Sequence, residues 1–96
     1  MDIQHRHSEN NGSFFVENDN KTIAEIVYSL TNPAIMVIEH TEVDPSLKGK
    51  NIGLKLVNKA VFFAKENGMK IKAVCPFARS VFEKFPDKYN DILYLR

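Results

Sequence analysis

Lys48-Gly49-Lys50-Asn51-Ile52-Gly53 stands between two stretches of opposite habit, and the fold turns on how it is read. Upstream, Ala34–Val43 is rich in β-branched residues and reads as a strand. Asp44 to Asn51 carries Pro45 and Gly49 and is too polar for a strand, so it is a loop that enters a helix. From Ile52 onward Leu56, Val57, Ala60, Phe63 and Ala64 recur at helical spacing, with Lys55, Asn58, Lys59 and Glu66 on the opposite side, until Asn67-Gly68 stops the helix. Met69–Cys75 is again short and β-branched. A strand, loop, helix and strand in that order predict two parallel strands joined by a right-handed crossover.

Working outward from this βαβ unit, Ser13–Val16 is a short strand and Asn18-Asp19-Asn20 supplies residues that tolerate positive φ in a tight turn. Lys21–Leu30 returns as a strand whose apolar face holds Ala24, Ile26, Tyr28 and Leu30. Thr31-Asn32-Pro33 marks another turn, which makes the opening an antiparallel meander. Beyond Cys75, Pro76 suits the first turn of a short helix over Phe77–Phe85, with Phe77, Val81, Phe82 and Phe85 inward. Asp91–Leu95 alternates as a final strand should. The fold class is therefore α/β of the α+β kind: antiparallel N-terminal strands, a βαβ unit, a short helix and a last strand. Residues 1–12 are polar and read as a flexible N-terminus, leaving residues 13–96 as a single domain.

Composition narrows the function. With 96 residues, 44% apolar and 26% charged, the chain has room for one ordinary globular core. Apolar runs such as Ala60–Ala64 fall far short of the ~20 residues that span a bilayer, and no leader-like apolar segment follows the polar start, so no membrane partner is expected. Cys75 is the sole cysteine, which excludes an internal disulfide and suits a reducing, cytoplasmic setting. Asn11-Gly12-Ser13 matches a glycosylation sequon by chance on this reading, and His5 and His7 lack the further ligands a metal site needs, so no metal is expected. The net charge is only +1, too small to mark a nucleic-acid binder, but residues 1–47 carry two basic against eight acidic side chains, a balance of −6, and residues 48–96 eleven against four, +7. An anionic ligand near Lys48–Lys59 explains that switch, and so do solvated helix faces.

The loop lacks the GxxxxGK[ST] pattern, since Asn51 follows Lys50, and it lacks GxGxxG. Two glycines and two lysines at a helix start serve loop geometry and solvated charge as well as they serve a phosphate. In its setting, however, Lys48 to Gly53 resembles motif A of the GNAT-type N-acetyltransferase superfamily, written Arg/Gln-x-x-Gly-x-Gly/Ala. His40-Thr41-Glu42-Val43, Leu47-Lys48-Gly49-Lys50 and Cys75-Pro76-Phe77 together resemble its small stand-alone YjdJ-like branch, a likeness covering about residues 13–95. The resemblance implies acetyl-CoA as co-substrate, its pyrophosphate cradled by Lys48, Gly49, Lys50, Asn51, Ile52 and Gly53, and its pantetheine arm bonded by backbone groups of Glu42 and Val43. Lys48 departs from the usual Arg or Gln, and Asn51 from the first glycine; Lys keeps the charge without the fork, and Asn tolerates left-handed geometry.

Acetyl transfer to an amine needs a base for the amine and a proton for the departing thiolate. A histidine side chain, whose reference pKa is about 6.5, suits a base at neutral pH, and His40 offers one, although a strand histidine is as readily structural. Cys75 ends the strand expected beside Val43, where it can protonate the leaving thiolate or accept the acetyl group, or simply be a small buried side chain. Full-length enzymes of the superfamily carry N-terminal helices that build the acceptor site, and this chain has no room for them. The acceptor, an unidentified amine, is therefore expected to meet either a shallow cleft, as an exposed amine of a protein or peptide would, or a cleft completed by a partner. A CoA-binding sensor or docking module without turnover is the alternative, and no nucleic-acid partner is expected.

Overall fold

The computed structural model of the chain describes residues 2–32 and 34–94. Among them β1 (Gln4–His7), β2 (Asn11–Asn18), β3 (Lys21–Asn32), β4 (Ile35–Val43) and β5 (Lys70–Ala73) form one sheet in chain order. Neighbours are antiparallel as far as β4, and β5 lies parallel to β4. Asp19 and Asn20 take φ of 53° and 63°, the two successive positive values that close a tight hairpin between β2 and β3. The helices are α1 (Ile52–Glu66), α2 (Pro76–Lys84) and α3 (Pro86–Tyr89). All pack on the face of Ala24, Ile26 and Tyr28: their buried residues share one core with these, and Tyr89 Oη donates to Asn58 Oδ1 across α3 and α1 at 2.6 Å. No described helix is long and apolar enough to cross a membrane.

Three expectations need correction. Gln4–His7, read as part of a flexible terminus, instead pair with β2 from Gln4↔Phe15 to His7↔Gly12. Polar composition hid the reason: the His5 ring stacks on Phe14 at 4.1 Å and meets Phe63 edge-on at 4.7 Å, while His5 Nε2 and Tyr28 Oη share a hydrogen bond of 2.7 Å. The final strand shrinks to one parallel bridge, Ile71↔Leu93, held by Ile71 N–H to Ile92 O and Tyr94 N–H to Ile71 O, each 2.8 Å. Leu95 lies outside the described residues. So does Pro33 of the expected turn, and Thr31 and Asn32 continue β3.

One irregularity in β4 sets up the site. The register steps from Tyr28↔Ile38 to Val27↔His40, so Glu39 is an extra residue with no register position opposite it on β3, although its carboxylate accepts from Ser29 Oγ. A one-residue step changes which side chains face the core. Before it Met36 and Ile38 lie on the helix side; after it Thr41 and Val43, opposite the buried Ile26 and Ala24, take over. His40 and Glu42 are thereby turned to the face that carries no helix.

Candidate functional site

β4 pairs β5 only from Ile35↔Lys70 to Ile38↔Ala73. There the N–H groups of Val74 and Cys75 both donate to Ile38 O, each at 3.0 Å, and Pro76 turns the chain into α2. Residues 39–43 of β4 are left with no strand beside them on that edge. Asp44 N–H donates to Ile23 O at 2.8 Å, so two-residue alternation turns the backbone of Glu42 toward β3 and the N–H and C=O of Thr41 and Val43 toward the open edge. Of the residues expected to meet an extended ligand arm, Val43 has the right orientation and Glu42 does not; Thr41 was missed.

The loop that follows has its own internal bonding. Asp44 caps a 3-10 turn at Pro45–Leu47, its carboxylate accepting from Ser46 N–H at 2.9 Å; that N–H holds the Asp44 carboxyl below the usual range. Lys48 N–H donates to Pro45 O and Lys50 N–H to Leu47 O, so these two backbones are spent within the loop. Gly49 then takes φ +86° and Asn51 φ 58°, ψ 30°, left-handed positions that reverse the chain into α1. Among the described residues, the N–H groups of Gly49, Asn51, Ile52, Gly53 and Leu54 have no acceptor, and no side chain caps α1. A left-handed residue followed by right-handed ones converges such donors into an anion-binding nest, at the positive end of a helix dipole. No acidic residue sits in the first turn of α1, and Lys48 and Lys50 are exposed without a carboxylate partner.

These parts border a cleft of about 480 Å³ between the loop and α2. Of the expected residues, Val43, Lys48, Gly49, Asn51, Ile52 and Gly53 line it; Lys50 and Glu42 do not. A Cβ at Gly53 would come within 2.7 Å of Phe77 Cζ, so the glycine lets the α2 ring lie against α1. At Gly49 a Cβ meets nothing within 4 Å, and the positive φ is what requires glycine. The α2 wall was not foreseen. Phe77 and Phe85, expected to point inward, are 40% and 42% exposed and line the cleft together with Ser80 and Lys84. Ser80 and Lys84 lie three and seven residues after Phe77, the spacing of one helix face, and that signal was available in the sequence.

The two expected catalytic side chains are not brought together. Cys75 is 3% exposed on the helix side, where its Sγ–H donates to Thr41 Oγ1 at 3.3 Å. His40 is exposed on the opposite face of the sheet, with Nε2 at 3.8 Å from Glu42 Oε1. Beside it Glu25, Glu42 and Asp44 border a second hollow of about 430 Å³, and Val43 borders both spaces.

Comparison with known proteins gives the family and the fold. A family described as GCN5-related N-acetyl-transferase matches residues 13–92. The solution structure of a GCN5-like protein from Staphylococcus aureus is 34% identical with a TM-score of 0.72, the match covering 97% of this chain and 90% of that one. Ribosomal-protein-alanine N-acetyltransferase from Brucella melitensis is 17% identical with a TM-score of 0.61, covering 93% of this chain and 65% of the other. Aminoglycoside N-acetyltransferase AAC(6′)-Iy, solved in complex with CoA, is 13% identical with a TM-score of 0.59, covering 80% and 67%. At the latter two identities the likeness is one of fold. No curated protein matches the sequence. The matches indicate a family and do not single out a branch within it.

Proposed function

We propose, because this chain belongs to the GCN5-related N-acetyltransferase family, that its cleft takes acetyl-CoA and that it transfers the acetyl group to a primary amine. The observation that carries this reading is the meeting of an arc of free N–H donors with the open edge of β4 in one cleft. The residues fit the coenzyme. A diphosphate needs several convergent donors, which Gly49, Asn51, Ile52, Gly53 and Leu54 offer, with Lys48 adding charge. An amide-bearing arm needs backbone partners, which Thr41 and Val43 offer in place of a sheet neighbour.

The coenzyme supplies an acetyl thioester; the chain supplies position and protons. On this reading the Cys75 thiol, which donates to Thr41 Oγ1 on the helix side, gives its proton to the departing sulfur. His40, beside Glu42 on the helix-free face, then takes the amine's proton through water, because the ring lies across the sheet from the thiol. A C–N bond forms, the C–S bond breaks, the amine proton passes to His40 and the sulfur takes one from Cys75; exchange with solvent restores both. Glu25, Glu42 and Asp44 favour a cationic amine, and the open face suits one presented on a protein or peptide.

Titration of acetyl-CoA into isotope-labelled protein tests the binding: amide signals of Gly49 and Asn51–Leu54 should move, and unchanged signals at millimolar ligand would overturn the reading. Release of free CoA thiol with lysine-containing peptides tests transfer. Cys75→Ala should slow that release while leaving the amide shifts intact; undiminished release would remove the thiol from the mechanism. Binding without release from any amine offered would leave a CoA-binding module.

A further inference from the structure

The α2 wall has features that gripping a diphosphate and an arm does not use. Phe77 and Phe85 remain two-fifths exposed on a helix whose Ala78, Val81 and Phe82 are buried, and both border the same cleft. Single exposed apolar side chains are ordinary, but two aromatic rings flanking one cavity mark a recognition surface. Phe77 is held against Gly53 and lines the cleft. Phe85, the residue that ends α2, lies at the rim with Lys84 Nζ 5.9 Å from its ring centroid. Lys84 has no carboxylate partner among the described residues, whose ion pairs are His40–Glu42 and Lys65–Asp91. A ring face beside a free ammonium matches a purine bearing a phosphate: the base stacks on the ring and the phosphate meets the cation.

Given the reading of the cleft as a coenzyme A site, on which this step rests, we infer that Lys84 and Phe85 form the subsite for the adenosine 3′-phosphate. The diphosphate lies at the N–H arc and the arm leaves toward β4, so the remaining end of the molecule meets α2. Lys84 pairs with the 3′-phosphate as a point charge, and Phe85 gives the purine its platform. The subsite makes the protein discriminate coenzyme A from its 3′-dephospho form.

Isothermal titration calorimetry of both ligands against wild type, Lys84→Gln and Phe85→Leu tests this. Wild type should bind coenzyme A about tenfold more tightly than 3′-dephospho-coenzyme A, the size expected of one charge-assisted contact. Lys84→Gln should bind both ligands with the affinity that wild type has for the dephospho form. Phe85→Leu should weaken both several-fold and keep their ratio. Equal affinities in wild type, or a preference that survives in Lys84→Gln, would overturn the subsite while leaving the diphosphate site standing. Failure of wild type to bind either ligand would instead overturn the coenzyme reading beneath it. Lys84 is exposed in the last turn of α2, so the variant keeps its fold, which circular dichroism checks.

Discussion

Asn51 carries more of the site than its neighbours because its backbone, at φ 58° and ψ 30°, aims the first N–H groups of α1 at one point. An ordinary L-residue pays roughly 1–2 kcal/mol to enter that region, glycine nothing, and Asn an intermediate amount. Asn51→Ala should therefore lower the denaturation free energy by about 1 kcal/mol. It should also weaken acetyl-CoA binding, because the relaxed chain no longer converges its donors. Asn51→Gly should keep both properties near wild type. Chemical denaturation and calorimetry on the pair check this, and an alanine variant as stable and as tightly binding as the glycine one would show that the left-handed turn is not what forms the nest. The Asn51 side chain makes no capping hydrogen bond, so the comparison isolates backbone geometry.

At the scale of elements, the His5 ring ties β1 to the aromatic cluster of Phe14, Tyr28 and Phe63. Burial first, and the neighbouring His7 second, push the His5 pKa below its usual 6.5. The unfolded chain consequently takes up a proton on His5 at higher pH than the folded one does. The neutral ring contributes fully above about 6.5, and that contribution is lost as pH falls through the lowered folded-state value. Denaturant midpoints measured from pH 7.5 down to 5.5 should decline, and His5→Gln should flatten part of that slope; an identical slope in the variant would remove His5 as its source. β1 was illegible in the sequence because Gln4-His5-Arg6-His7 has no apolar alternation, its packing coming from polar side chains: the His5 ring bonded to Tyr28 and the Arg6 guanidinium over Phe15. The loop was legible because Gly49, Asn51 and the lysines announce turn geometry and charge locally. Glu39 was not, because a bulge is a property of the pairing of β4 with β3, and only the pairing shows that His40 and Glu42 are turned away from Cys75. The meander, the crossover and α1 follow from periodicity alone; the α2 wall hid because Phe77 and Phe85 resemble core residues until Gly53 and the cleft are seen together.

Across the whole molecule the charge switch at Lys48 becomes a spatial division about Val43. Lys48 and Lys84 border the cleft on the helix side, while Glu25, Glu42 and Asp44 border the hollow on the other. An acidic hollow and a basic cleft thus meet at Val43, and under the proposed transfer each reactant is drawn to its own side of β4. This predicts unequal responses of two donors to salt. Acetyl-CoA, which carries the phosphates, should lose affinity several-fold between about 50 and 300 mM sodium chloride, as the Debye length contracts from roughly 14 to 6 Å. S-acetylpantetheine, which carries none, should bind weakly and with little change over the same range. Fluorescence or calorimetric titrations of the two at matched pH measure the difference. A salt-independent affinity for acetyl-CoA would mean that neutral N–H donors alone hold the diphosphate and that the basic half of the chain serves solvation. A parallel loss for the uncharged donor would trace the effect to the fold rather than to the cleft.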